Sequence, residues 1–378
     1  MILSEKHKEF RGKVKDFADR EVAPRAKELD MNDEFPWDLV KRMAELRLLA
    51  LYVPEKYGGA GLDVLSYAIA VEEIGRVCGS TGIFLAAHSS LGVYPVYFSG
   101  NEEQKQKYLI PMARGEKIGS FGLTEPNAGS DAAGTQTTAK LINDKYIING
   151  TKRFITSGSI ADIIVFTATK DPSLGYAGIS AFIVEKGTPG FSPGKEEDKL
   201  GLRGSITSEL VFEDCAIPRE NLLGKEGEGF KVFMATLDGG RISIGALALG
   251  IAQGALDASA KFVTEHSRTG CPMKKMQSIQ SMIAEMATEI EAARLLIYQA
   301  ATLKDSDLPF TKEAAMAKYY ASTIGMKATD MAITVHGMLG LTDEYPVERF
   351  LRDEKLMEIG EGTSEIQKIV IAREILGK

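Results

Sequence analysis

The sequence predicts an α+β chain of several domains, helical at both ends and β in the middle. Apolar residues recur at helical spacing through roughly the first 115 positions. Short strand-like runs bounded by Gly, Pro and Asn-Asp follow from Ile118. The helical period then returns near Gly229 and holds to the C-terminus. At 378 residues the chain exceeds what one ordinary core organises, so two or three domains are expected. Their expected extents are residues 1–117 for an N-terminal helical domain, 118–228 for a middle β-sandwich or barrel domain, and 229–378 for a C-terminal helical domain.

In the first part, Phe10, Val14, Phe17 and Ala18 share one helical stripe, and Leu39, Met43, Leu46 and Leu49 share another. Pro24, Pro36, Pro54 and the loop Tyr57-Gly58-Gly59-Ala60-Gly61 punctuate them. In the middle part, Thr137–Ile142 and Lys145–Ile148 flank Asn143-Asp144, a hairpin pattern, and Asn149-Gly150 reads as a second turn. Further strands are expected over Asp162–Thr169, Ile179–Val184 and Glu209–Phe212. In the last part, Phe230, Phe233, Met234 and Leu237 form one stripe, and Ile283, Met286, Ile290 and Leu295 belong to another. Asp305–Pro309 separates two long helices, and Ser364 with Gln367 three residues on has the form of a capping box.

Composition narrows the function. A hydrophobic fraction of 44% with 26% charged residues is that of a soluble globular protein. A net charge of −7 and a pI near 5.4 argue against non-specific nucleic-acid binding. No apolar run approaches the roughly 20 residues that span a bilayer. The start of the chain shows no signal-peptide core. Cys78, Cys215 and Cys271 have neither metal-ligand nor disulfide spacing, so a reduced, cytoplasmic protein without a metal site is expected.

Four segments have residues suited to chemistry. Glu361 stands between Gly360 and Gly362, where glycines permit close ligand approach; it is a candidate general base or a solvated loop glutamate. Phe121-Gly122-Leu123-Thr124-Glu125-Pro126-Asn127-Ala128-Gly129-Ser130-Asp131 offers amides and hydroxyls to a polar ligand, or is a tight turn. Its glycine spacing fits neither a Rossmann fingerprint nor a Walker loop. Lys152–Gly158 is a strand ending in hydroxyls and glycine. Asp238-Gly239-Gly240-Arg241 lies on a helix, where Asp and Arg three apart form a surface pair or grip a ligand. Two glycines inside a helix cost about 1 kcal/mol each relative to Ala.

Together, in this order and at these separations, Leu123–Asp131, Phe154-Ile155-Thr156, Lys199–Ser205, Asp238-x-x-Arg241 and Glu361-Gly362-Thr363 resemble the acyl-CoA dehydrogenase family across essentially the whole chain. The resemblance implies that family's fold, with a C-terminal four-helix bundle and FAD between the β domain and the C-terminal helices. It also implies a homotetramer and an electron-transferring flavoprotein as acceptor. By the same resemblance Phe121, Leu123, Thr124, Gly129 and Ser130 line FAD, with Phe154, Ile155 and Thr156, the last near flavin N5. Arg268, Gln277, Thr334 and Gly337 match the end that holds the ADP half, and Thr363, Ser364 and Glu365 match further FAD contacts. Ser130, Asp238, Gly239, Gly240, Arg241 and Gly362 match the acyl-CoA site, and Glu361 matches the base that takes the α-proton while hydride leaves the β-carbon. Some members carry the base where this chain has Gly240, which cannot serve. The implied reaction makes a 2,3-enoyl-CoA. An acyl-CoA oxidase or flavin monooxygenase of the same fold, and a non-catalytic flavin-bound assembly protein, are the alternatives.

Four departures stand out. The family's usual Tyr before the base is Gly360, suggesting a branched or alicyclic acyl group. His266 replaces an arginine that reaches the FAD pyrophosphate of a neighbouring subunit, with Arg268 two residues on as a substitute. Thr334 and Met338 replace a Gln and a Gly at that same end, suggesting weaker FAD retention or a rearranged ADP site. Gly82 offers no charge where glutaryl-CoA dehydrogenases place an arginine, which disfavours a dicarboxyl-CoA substrate.

Overall fold

The computed structural model describes residues 3–268 and 270–377. Helices α1 (Glu5–Phe17), α2 (Ala26–Met31), α3 (Trp37–Glu45) and α4 (Val64–Gly75) open the chain. They continue into α5 (Gly79–Ala87), α6 (Tyr94–Ser99), α7 (Glu102–Gln104) and α8 (Ile110–Ala113). Helix α1 starts because the Ser4 hydroxyl accepts the His7 amide, and it buries Val14 and Phe17. Helix α4 is buried on every side. Its first amides are satisfied locally by Asp63 and, from the far end of the sequence, by Asp305, which accepts from Val64 N (2.7 Å) and Leu65 N (3.1 Å). Glu72, also buried, gathers Arg11, Arg294 and Tyr298, joining α1 to a C-terminal helix. Leu46 is exposed and does not share the stripe of Leu39, Met43 and Leu49.

The middle region is one sheet of strands β1 (Gly119–Gly122), β2 (Thr138–Ile142), β3 (Lys145–Thr156), β4 (Ile163–Thr169), β5 (Ile179–Glu185), β6 (Phe191–Glu196), β7 (Thr207–Pro218) and β8 (Leu222–Leu223). The order is β6-β7-β3-β2-β4-β5-β8, with β1 parallel to β4. Asn143 and Asp144 both have positive φ, the geometry of a tight two-residue hairpin turn between β2 and β3. Asn149-Gly150 is not a turn: β3 runs through it, and the register shifts between Ile148 and Gly150 against β7. Gly150 (φ 147°) is a bulge where a Cβ would strike Thr137, so the turn-like dipeptide bends a strand instead of ending it.

Strands β4 and β5 are buried on both faces. Ile164, Phe166, Phe182 and Val184 join a core with Phe212, Cys215 and Ile148, while Ile163, Val165, Ala181 and Ile183 pack against helices with Phe121 and Phe233. That second face fixes the β region onto both helical regions.

The last region has α9 (Gly229–Glu265), α10 (Gln277–Asp305), α11 (Thr311–His336), α12 (Val347–Glu354) and α13 (Ser364–Leu376). Helix α9 is the central post, 37 residues and so about 55 Å long. By length and composition it could cross a membrane, but 78% of its apolar window is buried inside the protein, as in a core helix. The expectation that no stretch has that length is corrected accordingly. In α10 the buried stripe is Ile279, Met286, Ile290, Ala293 and Ile297; Leu295 faces outward. The cap of α13 is Thr363, whose hydroxyl accepts from Ile366 N, and not Ser364. Gln367, freed from a capping box, turns back to the preceding loop.

Candidate active site

Glu361 lies in the turn between α12 and α13, with φ of 52°, followed by Gly362 at 92°. A non-glycine residue in the left-handed region costs about 1–3 kcal/mol and persists only where its surroundings over-determine it. Two buried side chains do that here. Gln367 Nε2 donates to the carbonyls of Glu361 (3.2 Å) and Gly362 (2.9 Å), and Lys318 Nζ donates to Gly362 O at 2.8 Å. The turn aims the carboxyl group at α9, where Gly240 leaves the space: a Cβ on Gly240 would overlap Glu361 Oε2. Oε2 is buried and has no hydrogen-bond partner. Burial pushes the Glu361 carboxyl up to about 7, against the opposing charges of Lys318 and Arg241. The glycine in mid-helix is therefore explained by the carboxyl group it accommodates.

Arg241 is 5% exposed and pairs with Asp238, whose other oxygen accepts from Thr311 Oγ1 at 2.8 Å. This is no surface pair. Burial lowers the Arg241 pKa and raises that of Asp238, in each case against the partner's charge. Arg241 Nε is buried without a partner, an unused donor one helical position from Gly240. Gly239, the other mid-helix glycine, clears space for the Lys304 ammonium, which lies over the Tyr94 ring at 4.1 Å.

On the β side, Phe121 stacks on Phe233 of α9 at 4.0 Å, and Leu123 and Leu237 pack against the same core. Beyond Leu123 the chain leaves β1 as a loop. Glu125 anchors it, accepting from Gln136 N (2.6 Å), Thr137 N (3.1 Å) and the fully buried Lys152 Nζ (2.6 Å). Thr124 O accepts from Arg153 N at 2.7 Å, which sets Thr124 beside the end of β3. There Phe154, at φ 57°, turns its ring outward and is 57% exposed, while Ile155 is buried and Thr156 half-buried. Space around Gly129 is open, and Ser130 is exposed. An outward aromatic face at the end of β3, beside Thr124 and two residues before Thr156, is the kind of surface a flat, polar-edged tricycle needs, and these residues fit FAD.

The structure does not bring every expected residue to this place. Arg268 donates to Val335 O at 2.8 Å and lies beside Gly337, while Thr334 and Gln277 are exposed. Arg268 follows the end of α9, whose final residue Glu265 is 25 positions, about 38 Å, from Gly240. His266 is folded onto its own helix, stacked on Phe262 at 4.0 Å with Nδ1 at Phe262 O, and not extended as an arginine would be. Thr269 of that segment lies outside the described residues. Gly82 is buried at a helix crossing where a Cβ would meet Leu247, so no side chain projects there. Lys318 is not among the residues singled out by sequence, and Gln367, Glu125 and Lys152 enter there only as a capping-box partner and as members of longer segments. Lys318 had a signal: it falls in phase with Ala314, Ala321 and Gly325 on the buried side of α11. Among the described residues no group of three or more His, Cys, Asp or Glu side chains is placed to hold a metal ion.

A helix–β–helix chain with a buried, unpartnered carboxyl oxygen facing a mid-helix glycine narrows the class, and comparison with known proteins supplies the family. Residues 4–116, 120–215 and 227–376 match the acyl-CoA dehydrogenase N-terminal, middle and C-terminal domains. The chain is 51% identical over 373 residues to the short-chain specific acyl-CoA dehydrogenase of Clostridium acetobutylicum, covering 99% of this chain and 98% of that one. It superposes on butyryl-CoA dehydrogenase from Megasphaera elsdenii with a TM-score of 0.98 at 45% identity, covering all of both chains. A chain from work on the electron-transferring flavoprotein of Acidaminococcus fermentans and flavin-based electron bifurcation matches equally, at a TM-score of 0.98, 50% identity and full coverage of both. The protein belongs to the acyl-CoA dehydrogenase family. It is accordingly a flavoprotein oxidoreductase acting on acyl-CoA, with FAD as cofactor.

Proposed function

We propose that this enzyme oxidises a short acyl-CoA to the 2,3-enoyl-CoA, with Glu361 as the base that removes the α-proton. The observation that carries this is the orphaned, buried Glu361 Oε2 in the cleft left by Gly240. An α-proton of a thioester is weakly acidic, and a base positioned beside it contributes about 10²–10⁴-fold. Burial pushes this carboxyl up to about 7, which makes it a stronger base than a solvated carboxylate and keeps it out of water. FAD, when bound, supplies the acceptor for the β-hydride. The backbone N–H of Glu361 is the chain's own donor toward the thioester carbonyl as negative charge develops there. Asp238 and Arg241 hold the CoA portion, with Arg241 Nε the donor still open. Leu123, Thr124, Phe154 and Thr156 bear the flavin face, and Thr363, Ser364 and Glu365 approach it from the start of α13.

An electron-transferring flavoprotein as acceptor is supported by the Acidaminococcus neighbour, and a cytoplasmic setting by the three free thiols. The proposed domain limits after residues 117 and 228 fall between α8 and β1 and between β8 and α9. A second reading admits branched or alicyclic acyl groups. Gly360 favours it, since even a Cβ there would meet nothing closer than Leu356 at 3.5 Å, leaving room beside the base.

The test is anaerobic bleaching of the flavin by butyryl-, isobutyryl- and cyclohexanecarboxyl-CoA. Butyryl-CoA is expected to bleach the wild type and to leave Glu361→Gln unbleached with FAD still bound. Turnover by the Gln variant would remove Glu361 from its role. Bleaching by butyryl-CoA alone would dispose of the second reading.

A further inference from the structure

We propose that Lys318 is a positioning residue for the base: its buried ammonium clamps the Glu361–Gly362 turn, and its charge sets the pH at which Glu361 becomes competent. The inference rests on the assignment of Glu361 as base. Lys318 is 0% exposed in the middle of α11. A buried ammonium is expensive unless something nearby needs it. Its hydrogen bond goes to a carbonyl, that of Gly362, rather than to a carboxylate. The bond fastens the residue directly after the base, at the second of two consecutive left-handed positions.

The charged and titratable groups around this point are few. Glu361 faces Lys318 from α11, Arg241 from α9 and Tyr67 from α4. On its other side Lys318 faces Glu358 and Glu354. Arg241 is already paired with Asp238. Glu354 is fully buried at the end of α12, in a cleft that exists because residue 325 is glycine; a Cβ there would overlap Oε1. Neither oxygen of Glu354 has a hydrogen-bond partner, and burial first, then Glu358 and Asp353, hold its carboxyl well above the usual range. A neutral Glu354 offers no counter-charge, which leaves Glu358, already bonded to Lys355, as the carboxylate on that side. The positive charge therefore acts chiefly on Glu361, and burial brings Lys318 down to about 8 with Glu361 as the leading opposing influence.

The sign follows. An adjacent ammonium favours the carboxylate, so it lowers the pH at which Glu361 ionises below what burial alone would impose. Removing the charge must raise that pH. The experiment compares pH profiles of kcat/KM for butyryl-CoA in wild type, Lys318→Gln, Lys318→Arg and Glu361→Gln, each as the flavin-loaded holoenzyme. Flavin occupancy and melting temperature are recorded alongside. In Lys318→Gln, which can still donate to Gly362 O, the acid limb is expected to move up by about one pH unit. The loss of rate would then be about tenfold greater at pH 6 than at pH 9. Lys318→Arg should return the limb to the wild-type position even if its plateau is lower. Lys318→Met serves as the neutral variant if the Gln protein does not retain flavin. An unmoved acid limb in the neutral variant, or a loss of the same size at every pH, overturns the inference while leaving the base assignment intact. Turnover by Glu361→Gln overturns the base assignment, and this inference with it.

Discussion

Glu361 and Gly240 form a matched pair whose logic appears only when two distant stretches meet. The carboxyl group could be singled out in the sequence because glycines flank it. The glycine at 240 is legible in the sequence as a helix weakness and, by resemblance, as a position in the acyl-CoA site, but its contact with Glu361 is not. The packing supplies the cause, since any side chain there would occupy the place of Oε2. Gly240→Ala sets two effects against each other. Alanine in mid-helix gains about 1 kcal/mol in propensity over glycine. The same methyl group displaces the base, and a misplacement of about 1 Å costs on the order of 10²-fold in rate. The variant is expected to melt no lower than wild type while kcat falls about 100-fold with FAD bound. A melting temperature that drops with activity unchanged would contradict the geometry. Lys318 was harder to see, because a lysine on a helix is normally a solvated residue. Only its phase with Ala314 and Ala321 marks it as inward, and only the turn's carbonyl shows what it is there to hold.

At the scale of elements, local chemistry was readable where it was satisfied locally and misread where a distant partner decided. The β2–β3 hairpin is specified by Asn143-Asp144, two residues tolerant of positive φ, and forms as the sequence implies. Asn149-Gly150 carries the same kind of signal, but β7 pairs on both sides of it and turns it into a bulge. Ser364 and Gln367 have the spacing of a capping box, yet Thr363 caps α13 and Gln367 is recruited by the carbonyls of Glu361 and Gly362. The flavin-lining loop after β1 depends in a similar way on a residue far along the chain. Glu125 would be a buried carboxylate without Lys152; with it, the Glu125 carboxyl is held below the usual range and pins the amides of Gln136 and Thr137. Lys152→Met leaves that carboxylate unpaired. Breaking one partner of a buried pair costs about 3–5 kcal/mol. The variant should unfold at lower urea concentration by a corresponding amount and be isolated with less than full flavin, because Thr124 and Ser130 lie on the loop it frees. Full occupancy with unchanged urea stability would mean that the loop is held by something else.

The whole molecule poses the question of what Arg268, Gln277, Thr334 and Gly337 are for. Glu361 lies against Gly240 of α9, whereas Arg268 follows the end of that helix, about 38 Å away along it. Within one chain the length of α9 keeps these residues well apart from Glu361. We propose that they act instead at the cofactor of a neighbouring protomer, as the homotetramer implied by the family resemblance would allow. Within that reading His266 contributes packing, since its ring lies on Phe262 near His336 and Tyr345, and the cationic contact passes to Arg268. Arg268→Ala tests this in a way that separates binding from chemistry. It leaves Glu361, Gly240 and Lys318 untouched, so the rate with saturating FAD should remain within about threefold of wild type. Its loss should speed FAD release and raise the Kd for FAD by about tenfold or more, as one charge-assisted phosphate contact of about 1.5–3 kcal/mol would do, so that occupancy falls at a higher protein concentration on dilution than in wild type. Occupancy after dilution is measured from the flavin-to-protein absorbance ratio, with mass by light scattering on the same samples. If occupancy holds while the assembly stays intact, Arg268 does not touch the cofactor, and the ADP end is held by other residues.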